Sequence, residues 1–173
     1  MGEKTKKPKL VILDLDNVVI NVSTPYRDAI KKTAEFFLGR MLDHNDLHDV
    51  MHNGGNHYER SDALIGKFGG SFRMDAIKKK FQEYYVGRNF NGYILDEQLM
   101  MDEKFLKKLK KYKLGLVSHR CARDAEFSLR RLKIHNYFKA IDGIEQLEGE
   151  RHPNECLSGI VKKLKGKKNE TVY

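Results

Sequence analysis

The sequence predicts an α/β fold, in which a parallel β-sheet core carries an inserted segment made only of helices. Residues 10–16 form a short apolar run that contains two aspartates at its end, which is typical of a strand buried on both faces of a parallel sheet. Residues 21–85 show helical apolar spacing and no strand pattern. After residue 92, helical and strand patterns alternate, which predicts parallel strands joined by right-handed crossovers.

These patterns divide the chain into two predicted domains. Residues 1–20 and 93–173 form a discontinuous core, and residues 21–92 form the helical insert. The insert is predicted to hold helices at 25–38, 43–52, 57–68 and 72–84, with Thr24 and Ser71 as N-caps and Pro25 at the first position of the first helix. The core is predicted to continue with a helix capped by Asp102, a strand at 113–118, a helix at 123–132, a strand at 140–144, a helix that begins at Pro153 and a β-branched run at 171–173.

The composition favours anionic partners. The chain has 173 residues, 40% of them apolar, and a formal net charge of +9, which suits phosphorylated substrates and, more weakly, nucleic acid. Its lysine runs lack interleaved aromatic residues, which argues against a nucleic-acid platform. No apolar run approaches the roughly 20 residues that span a bilayer, and residues 1–9 show no signal-peptide pattern. Two cysteines fit neither a metal site nor a disulfide framework, so a cytoplasmic protein without a membrane partner is expected.

Asp14 and Asp16 are the first candidates for chemistry. Residues two apart on an extended chain point to the same side, so these carboxylates repel each other unless a divalent cation or a role in proton transfer explains them. Taken alone, the pair also fits a turn after a core strand. Ser118 ends a later strand, and ligands of parallel sheets bind beyond the carboxyl ends of the strands. We therefore expect Asp16 and Ser118 to reach one crevice, with the helical insert as a cap over it.

The stretch Leu-Val-Ile-Leu-Asp-Leu-Asp-Asn at residues 10–17 resembles the first motif of the haloacid dehalogenase-like (HAD) hydrolase superfamily, although Asn17 stands where glycine is commoner. The likeness is to the helical-capped subfamily that includes phosphoglycolate phosphatase-like proteins. It implies a Rossmann-like core and Mg²⁺-dependent phosphatase chemistry. Asp14 would be the nucleophile that forms an aspartyl-phosphate, Asp16 would be the acid and base, and both would hold the metal, Asp16 also through its carbonyl.

Two further stretches carry the resemblance in weaker form. The strand at 114–118 resembles the second motif, which implies that Ser118 binds a phosphoryl oxygen. His119 stands in place of the usual asparagine and is a second candidate for phosphate binding. The third motif usually reads Gly-Lys-Pro-x-Pro, whereas residues 149–153 read Gly-Glu-Arg-His-Pro. Glu150 replaces the expected lysine, and Arg151 is the candidate phosphate-binding cation. The run at 171–173 resembles the strand before the acidic fourth motif, so the core is expected to lack its C-terminal end.

The main hypothesis is a phosphoric monoester hydrolase that acts on a small phosphorylated substrate. The altered third motif and the missing fourth motif leave open a catalytically impaired binding or regulatory relative. A nucleic-acid-binding module and a dehalogenase are weaker alternatives, because Asp16 suits protonation of an alkoxide, which a halide does not need. Polar residues at 53–57 and 60–62 are candidates for substrate choice, or else form a solvated helix connection. The sequence leaves the oligomeric state open.

Overall fold

The computed structural model describes residues 7–52, 55–146 and 149–173, with only the main chain described at positions 146, 149 and 150. The chain forms two compact units, one made of Met1–Asn21 and Gln98–Tyr173 and the other of Val22–Glu97. The predicted α/β class with a parallel sheet is confirmed. The predicted second boundary, after residue 92, falls before a 3-10 turn at Tyr93–Asp96, which packs on the first helix of the second unit.

The strands of the described residues all belong to the first unit. They are β1 (Leu10–Asp14), β2 (Ile20–Asn21), β3 (Gln98–Leu99), β4 (Lys113–Ser118), β5 (Ala140–Gly143), β6 (Glu145–Gln146), β7 (Gly149–Glu150) and β8 (Thr171–Val172). Four of them form a parallel sheet in the order β5-β4-β1-β8, and β2-β3 and β6-β7 form two small antiparallel pairs. The central strands β1 and β4 pair over five residues, from Leu10↔Lys113 to Asp14↔Val117. This register places the carboxyl ends of β1 and β4 side by side.

The first unit also contains helices, and the second and third of them pack against the sheet. They are α5 (Glu103–Leu109), α6 (Ala122–Arg131) and α7 (Pro153–Lys163). Ile12 and Val117 from the sheet share one buried cluster with Cys156 and Ile160 from α7. Gly115 allows this close packing, because a Cβ at that position would lie 2.4 Å from the Ile160 Cγ2 atom. Leu10 and Ile12 of β1 and the apolar residues of β4 are buried, whereas Val11 and Leu13 are only partly buried, so the prediction of burial on both faces holds for β4 and only in part for β1.

The second unit consists mainly of four helices, α1 (Ser23–Leu38), α2 (His44–His52), α3 (His57–Lys67) and α4 (Met74–Tyr85). Aromatic rings from three of them form its centre, with ring centroids 4.7 Å apart for Tyr26 and Tyr85 and 4.5 Å apart for His57 and Phe81. Asn56 caps α3 by accepting bonds from the Tyr58 and Glu59 amides. The predicted all-helical character of this segment agrees with the structure over its described residues.

Two predicted helix starts are wrong. Val22, not Thr24, precedes α1, which places Pro25 in the first turn, where an amide hydrogen needs no partner within the helix. Arg73, not Ser71, is the residue before α4. The predicted Asp102 cap of α5 and the start of α7 at Pro153 are confirmed. Within the described residues, no helix combines the length and the apolar character needed to cross a membrane.

Candidate active site

Asp14 lies at the carboxyl end of β1, beside Val117 of β4, the residue before Ser118. One carboxylate oxygen, Oδ1, accepts a hydrogen bond of 2.8 Å from the Leu15 amide. Burial raises the pKa of the Asp14 carboxyl, and the Leu15 hydrogen bond opposes that rise. The negative charge of Asp16 raises the pKa further, while His119 lowers it. Asp14 is thus a partly desolvated carboxylate with a second acid close by.

The structure brings Asp16 and Ser118 together, as expected for side chains at the carboxyl ends of neighbouring parallel strands. The Ser118 hydroxyl donates to Asp16 Oδ2 at 3.4 Å, and the Ser118 side chain is fully buried. Asn17 follows with a φ of 56°, in the left-handed region that glycine and asparagine tolerate best. This backbone geometry explains why asparagine can stand where the related motif usually has glycine.

Arg120 joins this pair, and the sequence reading missed it. Its side chain is buried, with a residue exposure of 2%. Its Nε donates to Asp16 Oδ1 at 3.1 Å, and its Nη2 forms an ion pair with the same oxygen. The sequence carries only a general signal for it: two acids at one strand end need a cation nearby, which does not identify the residue that supplies that cation.

His119 and Arg151 occupy different positions around this edge of the sheet. His119 is exposed, and its carbonyl accepts a hydrogen bond of 3.1 Å from the Glu145 amide. Arg151 forms an ion pair of 3.0 Å with the buried Asp142 of β5, and its amide donates to the Ile144 carbonyl. These contacts of Arg151 do not join it to the Asp16–Ser118 pair.

The structure describes only the main chain for the first two residues of the altered third motif. The main chain at Gly149–Glu150 forms β7, which pairs with β6, but the Glu150 side chain lies outside the described residues. In the second unit, residues 53 and 54 of the polar segment also lie outside them. A cavity of about 400 Å³ in the first unit opens between the sheet and α7, with Ile12, Leu157 and Tyr173 among its lining residues and none of the candidate site residues.

The acids at this edge of the sheet decide whether Mg²⁺ can bind there. Within residues 7–52, 55–146 and 149–173, no group of three or more His, Cys, Asp or Glu side chains could hold a metal ion by itself. Mg²⁺ usually keeps several waters and takes one or two carboxylates together with substrate phosphate oxygens. Asp14 supplies such a carboxylate, and the negative charges of Asp14 and Asp16 repel each other at short range. The residues present fit a Mg²⁺ ion that is completed by water and phosphate.

Gly143 sets how closely the segment after β4 approaches β5. A Cβ at this position would lie 2.4 Å from the Arg120 carbonyl oxygen and 2.5 Å from the Ala122 amide nitrogen. We expect Gly143→Ala to lower the free energy of unfolding by about 1–3 kcal/mol, because rigid main-chain atoms must move. Gly66→Ala is the control, because Gly66 is helical with open space around it. In chemical denaturation the control should be up to about 1 kcal/mol more stable than the wild type. Equal stabilities of the Gly143→Ala variant and the wild type would contradict the close approach.

Comparisons with known proteins agree with this fold. The family model described as haloacid dehalogenase-like hydrolase matches residues 11–173. A haloacid dehalogenase-like family hydrolase from Streptococcus pneumoniae is 17% identical, with a TM-score of 0.72 and coverage of 95% of this chain and 73% of that one. The structure of the phosphatase Tt82 from Thermococcus thioreducens is 23% identical, with a TM-score of 0.62 and coverage of 88% and 79%.

A third solved structure, described as a predicted phosphoglycolate phosphatase from Haemophilus somnus, is 17% identical, with a TM-score of 0.73 and coverage of 98% of this chain and 76% of that one. The comparison with curated proteins gives no match. The solved structures establish the fold, and the family model covers nearly the whole sequence, including β4 and all of β1 except Leu10. The chain therefore belongs to the haloacid dehalogenase-like hydrolase family.

Proposed function

We propose that the protein is a Mg²⁺-dependent phosphatase that hydrolyses small phosphate monoesters. The observation that carries this proposal is the meeting of Asp16 and Ser118 at the ends of two adjacent parallel strands, with Asp14 in register beside them. Phosphoryl transfer needs a nucleophile, a proton source for the leaving oxygen and groups that hold the phosphoryl oxygens. These three needs correspond to Asp14, Asp16 and Ser118.

In the first step, a carboxylate oxygen of Asp14 attacks phosphorus while the bond between phosphorus and the ester oxygen breaks. Asp16 must be protonated when this step begins, and it donates that proton to the departing alkoxide, which leaves as an alcohol. In the second step, Asp16 takes a proton from water, and that water attacks the phosphorus of the aspartyl-phosphate. Inorganic phosphate leaves, and the Asp14 carboxylate is restored.

The remaining residues hold the phosphate. The Ser118 hydroxyl would turn its hydrogen from Asp16 to a phosphoryl oxygen when substrate binds. His119 and Arg151 would supply positive or hydrogen-bonding groups at the same edge of the sheet. Arg151 would have to leave Asp142, or share its guanidinium with it, to reach the substrate. Mg²⁺, held by the Asp14 carboxylate and the Asp16 carbonyl, would neutralise charge on the phosphoryl oxygens when bound.

A panel of phosphate monoesters tests the proposal. The panel should include phosphoglycolate, because one structural neighbour carries that description. We expect release of inorganic phosphate with Mg²⁺ present, a fall in that release of at least ~10-fold after chelation with EDTA, and recovery when Mg²⁺ is restored. Absence of hydrolysis across the panel would contradict the proposed function, and hydrolysis unaffected by EDTA would contradict the metal requirement.

A further inference from the structure

We propose that Arg120 is a positioning residue for Asp16, and that proton transfer to the leaving group depends on it. This inference rests on the proposed function, because it concerns the residue assigned there as acid and base. Arg120 does not need to touch the substrate. It acts by fixing where the Asp16 carboxylate lies.

The Arg120 side chain is anchored on both sides. Two of its nitrogens, Nε and Nη2, contact the same oxygen of Asp16, while its Nη1 donates to the Ser128 hydroxyl at 3.2 Å. Ser128 is fully buried in α6, and its own hydroxyl donates to the Asp124 carbonyl at 3.2 Å. A rigid helix therefore holds the guanidinium, and the planar guanidinium holds the carboxylate.

The main chain of Arg120 completes the arrangement. Its amide donates to the Ser118 hydroxyl at 3.2 Å, and that hydroxyl donates to the other oxygen of Asp16. Both carboxylate oxygens of Asp16 are thus contacted from the segment that follows β4. Few rotamers of Asp16 are compatible with these contacts, so its orientation is set before any substrate binds. A displacement of about 1 Å of a catalytic group can cost about 10²-fold in rate, which is the size of effect that such anchoring prevents.

A purely structural role for Arg120 makes a different prediction. A buried cation that only neutralises Asp16 would stabilise the fold, and its loss would slow every substrate to the same extent. A positioning role concerns the proton given to the leaving oxygen. It should therefore matter for an alkyl phosphate, whose alkoxide needs that proton, and much less for para-nitrophenyl phosphate, whose phenolate leaves without it.

The experiment compares kcat/KM for a simple alkyl phosphate and for para-nitrophenyl phosphate in the full chain with Mg²⁺. This ratio reports the steps up to release of the alcohol or phenol, so it excludes the later hydrolysis of the aspartyl-phosphate, in which Asp16 serves both esters alike. For Arg120→Met we expect kcat/KM to fall by about 10²-fold on the alkyl ester and by less than about tenfold on the aryl ester. Arg120→Lys should recover part of the alkyl activity, since it restores a cation but not the two-nitrogen contact. Arg130→Met is the matched control, because Arg130 lies on α6 with 62% of its side chain exposed, and both rates should stay at the wild-type level.

Ser128→Ala keeps the test decisive if Arg120→Met fails to fold. It leaves the Arg120–Asp16 ion pair in place and removes the anchor on α6, so a smaller but still selective loss on the alkyl ester is expected. An equal loss on both esters in the folded variants would overturn the positioning role while leaving the phosphatase proposal intact. A wild-type protein that hydrolyses neither ester would overturn the proposed function and this inference with it.

Discussion

Replacement of Asp14 by asparagine is expected to reduce phosphatase turnover by at least about 10³-fold, because the amide cannot form the phosphoenzyme bond. Asparagine has nearly the same shape and keeps an oxygen that can accept the Leu15 amide hydrogen bond. The loss should therefore appear in kcat, measured on the best ester of the panel. Asp75→Asn is the matched control, because Asp75 is exposed on α4, and its turnover should equal that of the wild type.

The same variant should be more stable than the wild type at neutral pH, which separates lost chemistry from lost folding. Burial raises the pKa of Asp14 in the folded chain, so the charged carboxylate costs stability once the pH exceeds that raised value. Asparagine carries no such charge. Thermal unfolding should show a higher Tm for Asp14→Asn at neutral pH, and the difference should shrink as the pH falls through the raised pKa. Turnover near the wild-type rate would reject Asp14 as the nucleophile.

Ser118→Ala is expected to lower kcat/KM for phosphate esters by about 10²-fold, the effect of removing one well-placed donor to a charged transition state. The change also removes the acceptor of the Arg120 amide and a donor to Asp16, so two polar groups lose a partner in a buried place. Inhibition by inorganic phosphate, the product, measures the direct contact and should weaken together with kcat/KM.

Ser158→Ala supplies the comparison for that change, because Ser158 is exposed on α7. Its kcat/KM and its phosphate inhibition should match the wild type. If Ser118→Ala bound phosphate as tightly as the wild type, Ser118 would be a structural residue rather than a phosphate ligand.

Much of the fold could be predicted from local pattern. The strand at Lys113–Ser118 has the predicted bounds, because an apolar run flanked by lysines and a terminal serine leaves little choice. The two-residue strands β2 and β3 were not predicted, because so short a segment has no periodicity and forms only through its partner. Val22 at the start of α1 escaped prediction for a related reason, since no side chain caps that end.

Some residues of the candidate site could be predicted from local sequence pattern, and one could not. Asp14, Asp16 and Ser118 could be proposed from the sequence because each lies at the end of an apolar strand. Arg120 could not, because only the approach of two strands more than a hundred residues apart in sequence gives its guanidinium a partner. Its burial is a tertiary property, and an arginine in a loop is usually solvated.

The register of β1 has a consequence for how the chain acquires its structure during synthesis. Leu10 pairs with Lys113 and Thr171, whereas the helices of Val22–Glu97 contact one another within a short stretch of sequence. The helical unit can therefore form before β4 and β8, the strands that pair with β1, have been synthesised. Until those strands pair with β1, the nascent chain exposes the apolar segment Leu-Val-Ile-Leu. Lysines precede this segment, and Asp14 and Asp16 lie at its other end. Charges that flank an exposed apolar segment oppose its aggregation. We therefore expect Asp14 and Asp16 to limit aggregation of the unfinished chain, in addition to their proposed role in the folded protein.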